Sequence, residues 1–244
     1  RSGNGVPPSF SGRGSLRTRS GSHHLSITVS NDAAHNRSAV QSADYIFLAV
    51  RPLVIPAVLA QIKDLVKGKL VISLGAASTG TAIRIMPNLP IAYGQGVIGF
   101  YADKTVSNSD KANLKKLLSG LGLVVDCKKE ADLDTLTLMS ASGVGIAAYL
   151  MKTLASYGRK RGLNDKLTQQ VATAVFAGAI KCLAEDKATF SEFIDAVATK
   201  GGTTEAILAE LTNHNLPKIF LRAMSGGEKR IRNLKSQLSR RPSR

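Results

Sequence analysis

The chain has 244 residues, of which 43% are apolar and only 5% are aromatic, and its formal net charge is +16. This length is enough for one or two domains with proper hydrophobic cores. No apolar run reaches the ~18 residues of a membrane span, and two cysteines and four scattered histidines make neither a disulfide framework nor a metal site. We therefore expect a cytoplasmic protein that has no membrane or metal partner.

The positive charge is concentrated at the two ends of the chain. Residues 1–25 contain four arginines and no acidic residue, and residues 226–244 contain seven basic residues and one glutamate. A dedicated nucleic-acid surface more often combines basic and aromatic residues on the folded part of a chain. We expect non-specific, salt-sensitive attraction to polyanions and no specific nucleic-acid partner.

The first 25 residues are rich in Ser, Gly and Arg and lack apolar periodicity, which predicts a disordered basic leader. The same composition is typical of an organelle transit peptide, so organelle targeting stays open beside the cytoplasmic expectation. Residues 236–244 form a second basic tail.

Strand and helix patterns alternate over residues 26–127. The apolar, strand-forming runs are Ser26–Ser30, Tyr45–Val50, Lys69–Leu74, Thr81–Met86, Val97–Ala102 and Leu123–Cys127. Helical spacing is present at Pro52–Val66 and Ser109–Leu118. This alternation predicts an α/β domain with a doubly wound, Rossmann-like parallel sheet.

Residues 128–235 carry helical patterns only. These are Asp132–Met139, Ile146–Gly158, Asp165–Ala184, Phe190–Val197, Glu205–Leu211 and Pro217–Leu234. Several of the helices are apolar on more than one face, which predicts an all-α domain that is buried in a dimer as well as in the monomer. The small residues of Ser140–Gly145 predict a tight bend near the start of this domain.

The segment Val197–Thr204, with the sequence VATKGGTT, joins two of these helices. Paired glycines permit a tight turn, and the free amides and positive dipole end of the following helix can bind an anion. An ordinary capped turn explains the same residues. Leu48–Pro52 and Arg84–Pro90 end two strands at the edge where doubly wound sheets bind nucleotides. Within the second motif, Asn88 either orients a ring or caps a turn.

In chain order, the segments AHNRSAVQSADYIFLAVRP, VISLGAAS, RIMPNLP, SASG and VATKGGTT resemble pyrroline-5-carboxylate reductase. The resemblance implies hydride transfer from NADPH or NADH to the C=N carbon of 1-pyrroline-5-carboxylate, the last step of proline biosynthesis. It also implies a homodimer or higher homo-oligomer. A protonated imine is already electrophilic, so positioning and charge complementarity suffice without a metal.

The resemblance also implies roles for individual residues. Thr204 matches a threonine that hydrogen-bonds the ring nitrogen, and the residues implied to bind substrate are Thr199, Gly202, Thr203 and Thr204. The implied cofactor contacts are Asn36, Ala49, Val50, Arg51, Ala76 and Asn88. A cation at Arg51, where the family usually has lysine, favours NADP over NAD.

Four departures from the family pattern affect these expectations. No G-x-G-x-x-G follows a strand in residues 1–25, and only Gly75–Thr81 separates two strands that should be parallel. Lys200 and Val144 stand where the family has proline, and Ala141 stands where it has glycine. The first two departures indicate an incomplete cofactor domain with an open sheet edge and weak or absent dinucleotide binding. A reductase of another small cyclic imine and a non-catalytic dimerising relative remain as alternatives.

Overall fold

The computed structural model describes residues 13–16, 25–28, 32–51, 54–75 and 82–239. They belong to two compact units, one of Arg1–Thr137 and Ile231–Arg244 and the other of Leu138–Arg230. The sequence patterns put the change of domain after residue 127, because the helix that follows the last strand reads as part of the helical region. In the structure that helix belongs to the first unit.

A small antiparallel sheet in the first unit pairs β1 (Arg13–Leu16) with β2 (Leu25–Thr28). β1 lies inside the segment for which the sequence predicts disorder, and for these four residues the structure differs. Main-chain pairing with Leu25–Thr28 explains the strand, since a ladder needs no apolar side chains on both partners. β2 corresponds to the predicted strand Ser26–Ser30, but it pairs with β1 and is not part of the main sheet.

The main sheet has five strands in the order β3-β4-β5-β6-β7. They are β3 (Tyr45–Leu48), β4 (Leu70–Ser73), β5 (Ile83–Pro87), β6 (Gly96–Ala102) and β7 (Gly122–Asp126). Three of the four pairings are parallel, which confirms the predicted Rossmann-like α/β sheet. The β5–β6 pair is antiparallel, and here the prediction of an all-parallel sheet is wrong. Only residues 88–95 connect these strands, which is too short for a crossover.

β4 and β5 are parallel neighbours although only residues 74–82 connect them. The pairing register explains how so short a connection is possible. Ile72 pairs with Ile83 and Ser73 with Arg84, so β5 begins beside the last two residues of β4. The connection therefore has to run back along β4 by only about two residues. A crossover that returns along a full strand needs a dozen residues or more. Residues 76–81, where the sequence lacks a covering helix, lie outside the described part of the chain.

Four helices accompany the sheet: α1 (Ala33–Gln41), α2 (Ile55–Ile62), α3 (Asn108–Ser119) and α4 (Glu130–Leu136). One core cluster packs Leu114 and Leu118 of α3 against sheet residues that include Ile83 and Phe100. A second cluster joins α1 and α2 to β3. In the third contact, α4 approaches the sheet at Gly99, where a Cβ would lie 2.8 Å from Leu133 Cδ2. The core therefore lies on both faces of the sheet, as in a doubly wound fold.

A π-helical turn at Thr137–Ala141 precedes the long helices of the second unit. These are α5 (Ser142–Lys160), α6 (Asp165–Asp186), α7 (Phe190–Val197), α8 (Thr203–Asn213) and the first part of α9 (Leu216–Ser239), whose residues from Ile231 onward belong to the first unit. They confirm the helices expected from the sequence over this region. The bend predicted at Ser140–Gly145 is wrong, because Gly143 and Gly145 are helical and neither has a positive φ. Small residues there are compatible with a helix as well as with a turn.

α5 and α6 pack against each other through small side chains. Ala155, Thr168 and Ala172 are buried at this contact, and a Cβ on Gly158 would lie 2.7 Å from Thr168 Cγ2. Other apolar residues of α6 are exposed in the single chain, namely Leu167, Val171, Val175 and Ile180. By length and composition alone, the stretches Glu130–Lys160 and Asp165–Asp186 could each cross a membrane. Exposed apolar surface of this kind is typical of an interaction site.

Candidate active site

The carboxyl ends of β3 and β4 lie side by side in the first unit. Leu48 pairs with Ser73, and the Leu74 amide donates to the Leu48 carbonyl at 3.2 Å. The next residues of the β3 end, Ala49, Val50 and Arg51, are all exposed. Three of the residues implied to contact the cofactor therefore lie at the edge where doubly wound sheets bind nucleotides. Ala76, the fourth on these two strands, lies outside the described residues.

Asn36 lies within α1 and contacts α2. Its Nδ2 donates to Gln61 Oε1 at 3.3 Å. Its neighbour Arg37 donates to both carboxylate oxygens of Asp64, at 2.8 and 2.7 Å, and to the Gln61 carbonyl. The Arg37 guanidinium lowers the pKa of Asp64 to about 2. Asn36 thus belongs to a polar contact between two helices, and its part in cofactor binding stays a prediction.

Asn88 closes the turn between β5 and β6. Asn88 is 8% exposed, and its side-chain Oδ1 accepts a hydrogen bond from the main-chain amide of Val97 at 2.8 Å. The main-chain amide of Asn88 donates to the Val97 carbonyl at 3.2 Å. Of the two interpretations open at the sequence level, the structure shows the turn-capping one. Arg84 pairs with Ser73 at the end of β4, and Asn88 comes four residues after Arg84. Four extended residues span roughly 13 Å, so Asn88 lies about that far beyond the end of β4 along the strand direction. Contact with the nicotinamide stays a prediction.

The turn between α7 and α8 in the second unit depends on its two glycines. Gly201 has a φ of +76°, a conformation that L side chains rarely adopt. The Gly202 amide donates to the Thr199 carbonyl at 2.9 Å, and a Cβ on Gly202 would lie 2.8 Å from that oxygen. This donor closes the turn in the structure, and the expectation that the Gly202 amide holds the substrate stays a prediction.

The first turn of α8 presents main-chain donors without acceptors. Gly202 is the N-cap and provides no side-chain cap, and the first helical hydrogen bond runs from Ala206 to Gly202. Among the described residues, the amides of Thr203, Thr204 and Glu205 have no hydrogen-bond acceptor. Three such amides at the positive end of an 11-residue helix make a site suited to a carboxylate.

Four side chains complete the surroundings of this turn. The half-buried Thr204 hydroxyl has no hydrogen bond within the described residues, whereas Thr212 in the same helix donates to the carbonyl of Leu208. Glu205 turns its carboxylate back to the Gly201 amide at 2.7 Å. Thr199 and Lys200 are exposed beside the turn. The arrangement combines amide donors, hydroxyls and a cation, which suit a small acid, with a Glu205 carboxylate that is bonded to the Gly201 amide.

Family models match both regions of the chain. Residues 130–234 match the model for pyrroline-5-carboxylate reductase dimerisation, and residues 13–77 match the model described as NADP oxidoreductase coenzyme F420-dependent. A pyrroline-5-carboxylate reductase of Corynebacterium melassecola is 30% identical over 203 residues, covering 77% of this chain and 75% of that protein. The chain belongs to the pyrroline-5-carboxylate reductase family.

Solved structures of reductases support the fold over the same length. A pyrroline-5-carboxylate reductase from Coxiella burnetii superposes with a TM-score of 0.76 at 27% identity, covering 85% of this chain and 81% of that one. The Plasmodium falciparum pyrroline carboxylate reductase, solved with NADP bound, gives 0.75 at 22% identity and covers 82% and 80%. The match of residues 13–77 to the NADP oxidoreductase model begins inside the segment that the sequence predicts as a leader.

Neither helix α1 nor the contacts of Arg84 were predicted from the sequence. Helix α1 has a detectable signal, because Asp32 caps it by accepting from the His35 amide at 3.0 Å. Arg84 is buried and bonds to Glu130 and to the Gly75 carbonyl, but an alternating strand pattern gives no sign of such a partner.

Proposed function

We propose that this chain reduces 1-pyrroline-5-carboxylate to proline with NADPH as the preferred donor. The observation that carries the proposal is the first turn of α8, where three amides and the Thr204 hydroxyl have no hydrogen-bond partner among the residues that the structure describes. Membership in the pyrroline-5-carboxylate reductase family supplies the reaction that such a turn serves. A metal is unnecessary for it, since protonation already activates the imine.

In this mechanism the chain positions the substrate and complements its charge. The amides of Thr203, Thr204 and Glu205 bind the carboxylate, and the Lys200 ammonium adds a favourable charge. The Thr204 hydroxyl hydrogen-bonds the ring nitrogen and fixes the plane of the ring. Reduced nicotinamide supplies a hydride, with its electron pair, to the C=N carbon. The π electrons of the C=N bond become the lone pair of the amine nitrogen, which keeps its proton in the proline product.

The cofactor fits the edge formed by β3 and β4 only in part. Exposed main chain at Ala49 and Val50 can line a dinucleotide, and the exposed Arg51 guanidinium provides a cation for a phosphate. The sequence shows no glycine-rich turn after its first strand. We therefore expect NADPH to bind with a dissociation constant weaker than micromolar. A fluorescence titration that gave micromolar or tighter binding would contradict this expectation.

We also propose that the second unit forms a homodimer. The exposed apolar residues of α5 and α6 lie in the region that matches the family model for dimerisation. Burial of these side chains by a second copy explains their composition without a membrane. Light scattering of the detergent-free protein at micromolar concentration would test this, and a monomer would oppose it.

The test of the proposed reaction compares two cyclic imines that differ only in the carboxylate. With saturating NADPH, 1-pyrroline-5-carboxylate should be reduced with a kcat/KM at least roughly tenfold above that for 1-pyrroline. The reason is that each charge-assisted hydrogen bond contributes about 1.5–3 kcal/mol, and 1.4 kcal/mol corresponds to a factor of ten. Equal values for the two imines would exclude the α8 turn as the carboxylate site.

A further inference from the structure

A buried arginine in β5 is not used by the reaction as described so far. The Arg84 side chain is 3% exposed, and its Nη1 donates to Glu130 Oε1 at the start of α4. Its Nη2 donates to the Gly75 carbonyl at 3.2 Å, just beyond the end of β4. The Nε–H is buried and has no hydrogen-bond partner among the described residues. All of these groups belong to the first unit.

Stability does not explain a guanidinium at this position. Removing the Arg84 guanidinium from water costs several kcal/mol, and its partner Glu130 is 40% exposed, so their ion pair offsets only part of that cost. One donor of Arg84 also remains unsatisfied, which adds a desolvation cost. The neighbouring Ile83 and Ile85 are buried in an apolar cluster, so the strand has core contacts without Arg84. A role in fixing a local geometry is the better explanation.

The geometry that Arg84 fixes is that of Leu74 and Gly75, the first residues after β4. The Gly75 amide donates to Ser73 Oγ at 3.1 Å, and the Gly75 carbonyl accepts from Arg84. The preceding Leu74 amide is bonded to the Leu48 carbonyl of β3. The first residues beyond β4 are thus held on one side by β3, at the strand end that leads to Ala49, and on the other by β5.

We infer that Arg84 is a positioning residue for the cofactor, acting through the Gly75 carbonyl and anchored by Glu130. The inference rests on the proposed function, since it assumes that a dinucleotide crosses the carboxyl ends of β3 and β4. The two terminal nitrogens of the planar arginine fork reach acceptors on two different elements, Glu130 at the start of α4 and Gly75 after β4, and a lysine has one compact ammonium in place of that fork. Arg84 itself does not touch the cofactor.

Two variants and one control test the inference. Arg84→Met removes the fork with little change in volume, and Arg84→Lys keeps the charge but loses one of the two contacts. The matched control is Lys235→Met. It removes the ion pair between Lys235 and Asp134, which lies in α4 like Glu130. The second variant keeps the experiment informative where Arg84→Met does not fold.

Hydrogen exchange at the Gly75 amide, followed by NMR, measures the positioning without any turnover. We expect at least tenfold faster exchange in Arg84→Met, a smaller acceleration in Arg84→Lys, and wild-type exchange in Lys235→Met. Unchanged exchange at Gly75 in both Arg84 variants would overturn the inference, whatever the activity of the chain.

Steady-state kinetics then measure the consequence for the cofactor. The KM for NADPH should rise about tenfold in Arg84→Met and about threefold in Arg84→Lys, while kcat at saturating NADPH stays within twofold of wild type. Faster exchange at Gly75 with an unchanged KM for NADPH would limit Arg84 to a structural role and overturn the inference. If the wild-type chain oxidises no NADPH, the proposed function fails separately, and the exchange data show that the failure is not one of positioning.

Discussion

Gly202→Ala should damage substrate binding and leave the cofactor region intact. The new Cβ would lie 2.7 Å from Thr199 Oγ1 and 2.8 Å from the Thr199 carbonyl oxygen, so the backbone of the turn must move by several tenths of an ångström. That carbonyl also accepts the Gly202 amide at 2.9 Å, and the movement weakens this hydrogen bond. Overpacking of this kind costs about 1–3 kcal/mol. The shift displaces the amides of Thr203 and Thr204 from the substrate carboxylate.

A loss of 1.4 kcal/mol is a factor of ten, so kcat/KM for 1-pyrroline-5-carboxylate should fall roughly tenfold to hundredfold. The assay is NADPH oxidation followed by absorbance, with NADPH binding measured separately by fluorescence. Gly226→Ala is the control, because no atom lies within 4 Å of its added Cβ. A folded Gly202→Ala protein with wild-type kcat/KM and wild-type NADPH binding would refute the assignment of the turn.

Thr204→Val should lower kcat about tenfold or more with little change in NADPH binding, because the hydroxyl bonds the ring nitrogen in the transition state. Thr204→Ser keeps a hydroxyl and should retain most of the wild-type kcat. Equal kcat for the wild type and both variants would count against this role. Lys69→Met should lower the free energy of unfolding by about 2 kcal/mol in a urea titration, because the Lys69 ammonium donates to the carbonyls of Val40, Gln41 and Ala43. The control is Lys67→Met at an exposed position, which should leave the free energy of unfolding almost unchanged. The pKa of Asp64 falls from 3.8 to about 2 on pairing with Arg37, so its contribution to stability is complete above pH ~4 and disappears as the pH falls towards 2. Asp64→Asn should therefore flatten the loss of stability over this acid range in thermal melts, and an unchanged slope would show that the pair contributes nothing.

The parts of the fold that the sequence predicts well are those with strong periodicity. The largely apolar runs Tyr45–Val50 and Lys69–Leu74 form neighbouring parallel strands, although Phe47 in the first of them is exposed. Phe190–Val197 is a helix over the predicted residues, with a capping box of Thr189 and Glu192 at its start. In each of these cases local propensity and burial favour the same structure.

Strand direction and partner choice are harder to predict, because they depend on register. The β5–β6 pair is antiparallel, and the short connection over residues 88–95 already favours that direction. The parallel pairing of β4 and β5 is a harder case, because its nine-residue connection works only through the offset of Ser73 and Arg84. No local pattern encodes that offset.

Individual hydrogen bonds in the candidate site were the least predictable feature. The motif Lys200–Thr204 correctly predicts a turn followed by a helix start. It does not reveal that Gly202 donates to Thr199, which leaves a different set of amides for the substrate. Likewise, the sequence around Asn88 does not reveal that its side chain accepts a hydrogen bond from the Val97 amide and so caps the turn.

Isotope transfer tests the central claim most directly. The chain is incubated with 1-pyrroline-5-carboxylate and saturating NADPH that carries deuterium at both C4 positions of the nicotinamide, and the product is analysed by mass spectrometry. The account predicts proline with one deuterium on the carbon that was double-bonded to nitrogen, formed in equal amount to the NADP produced. Proline without deuterium, or no proline from a folded, NADPH-saturated chain, would contradict it.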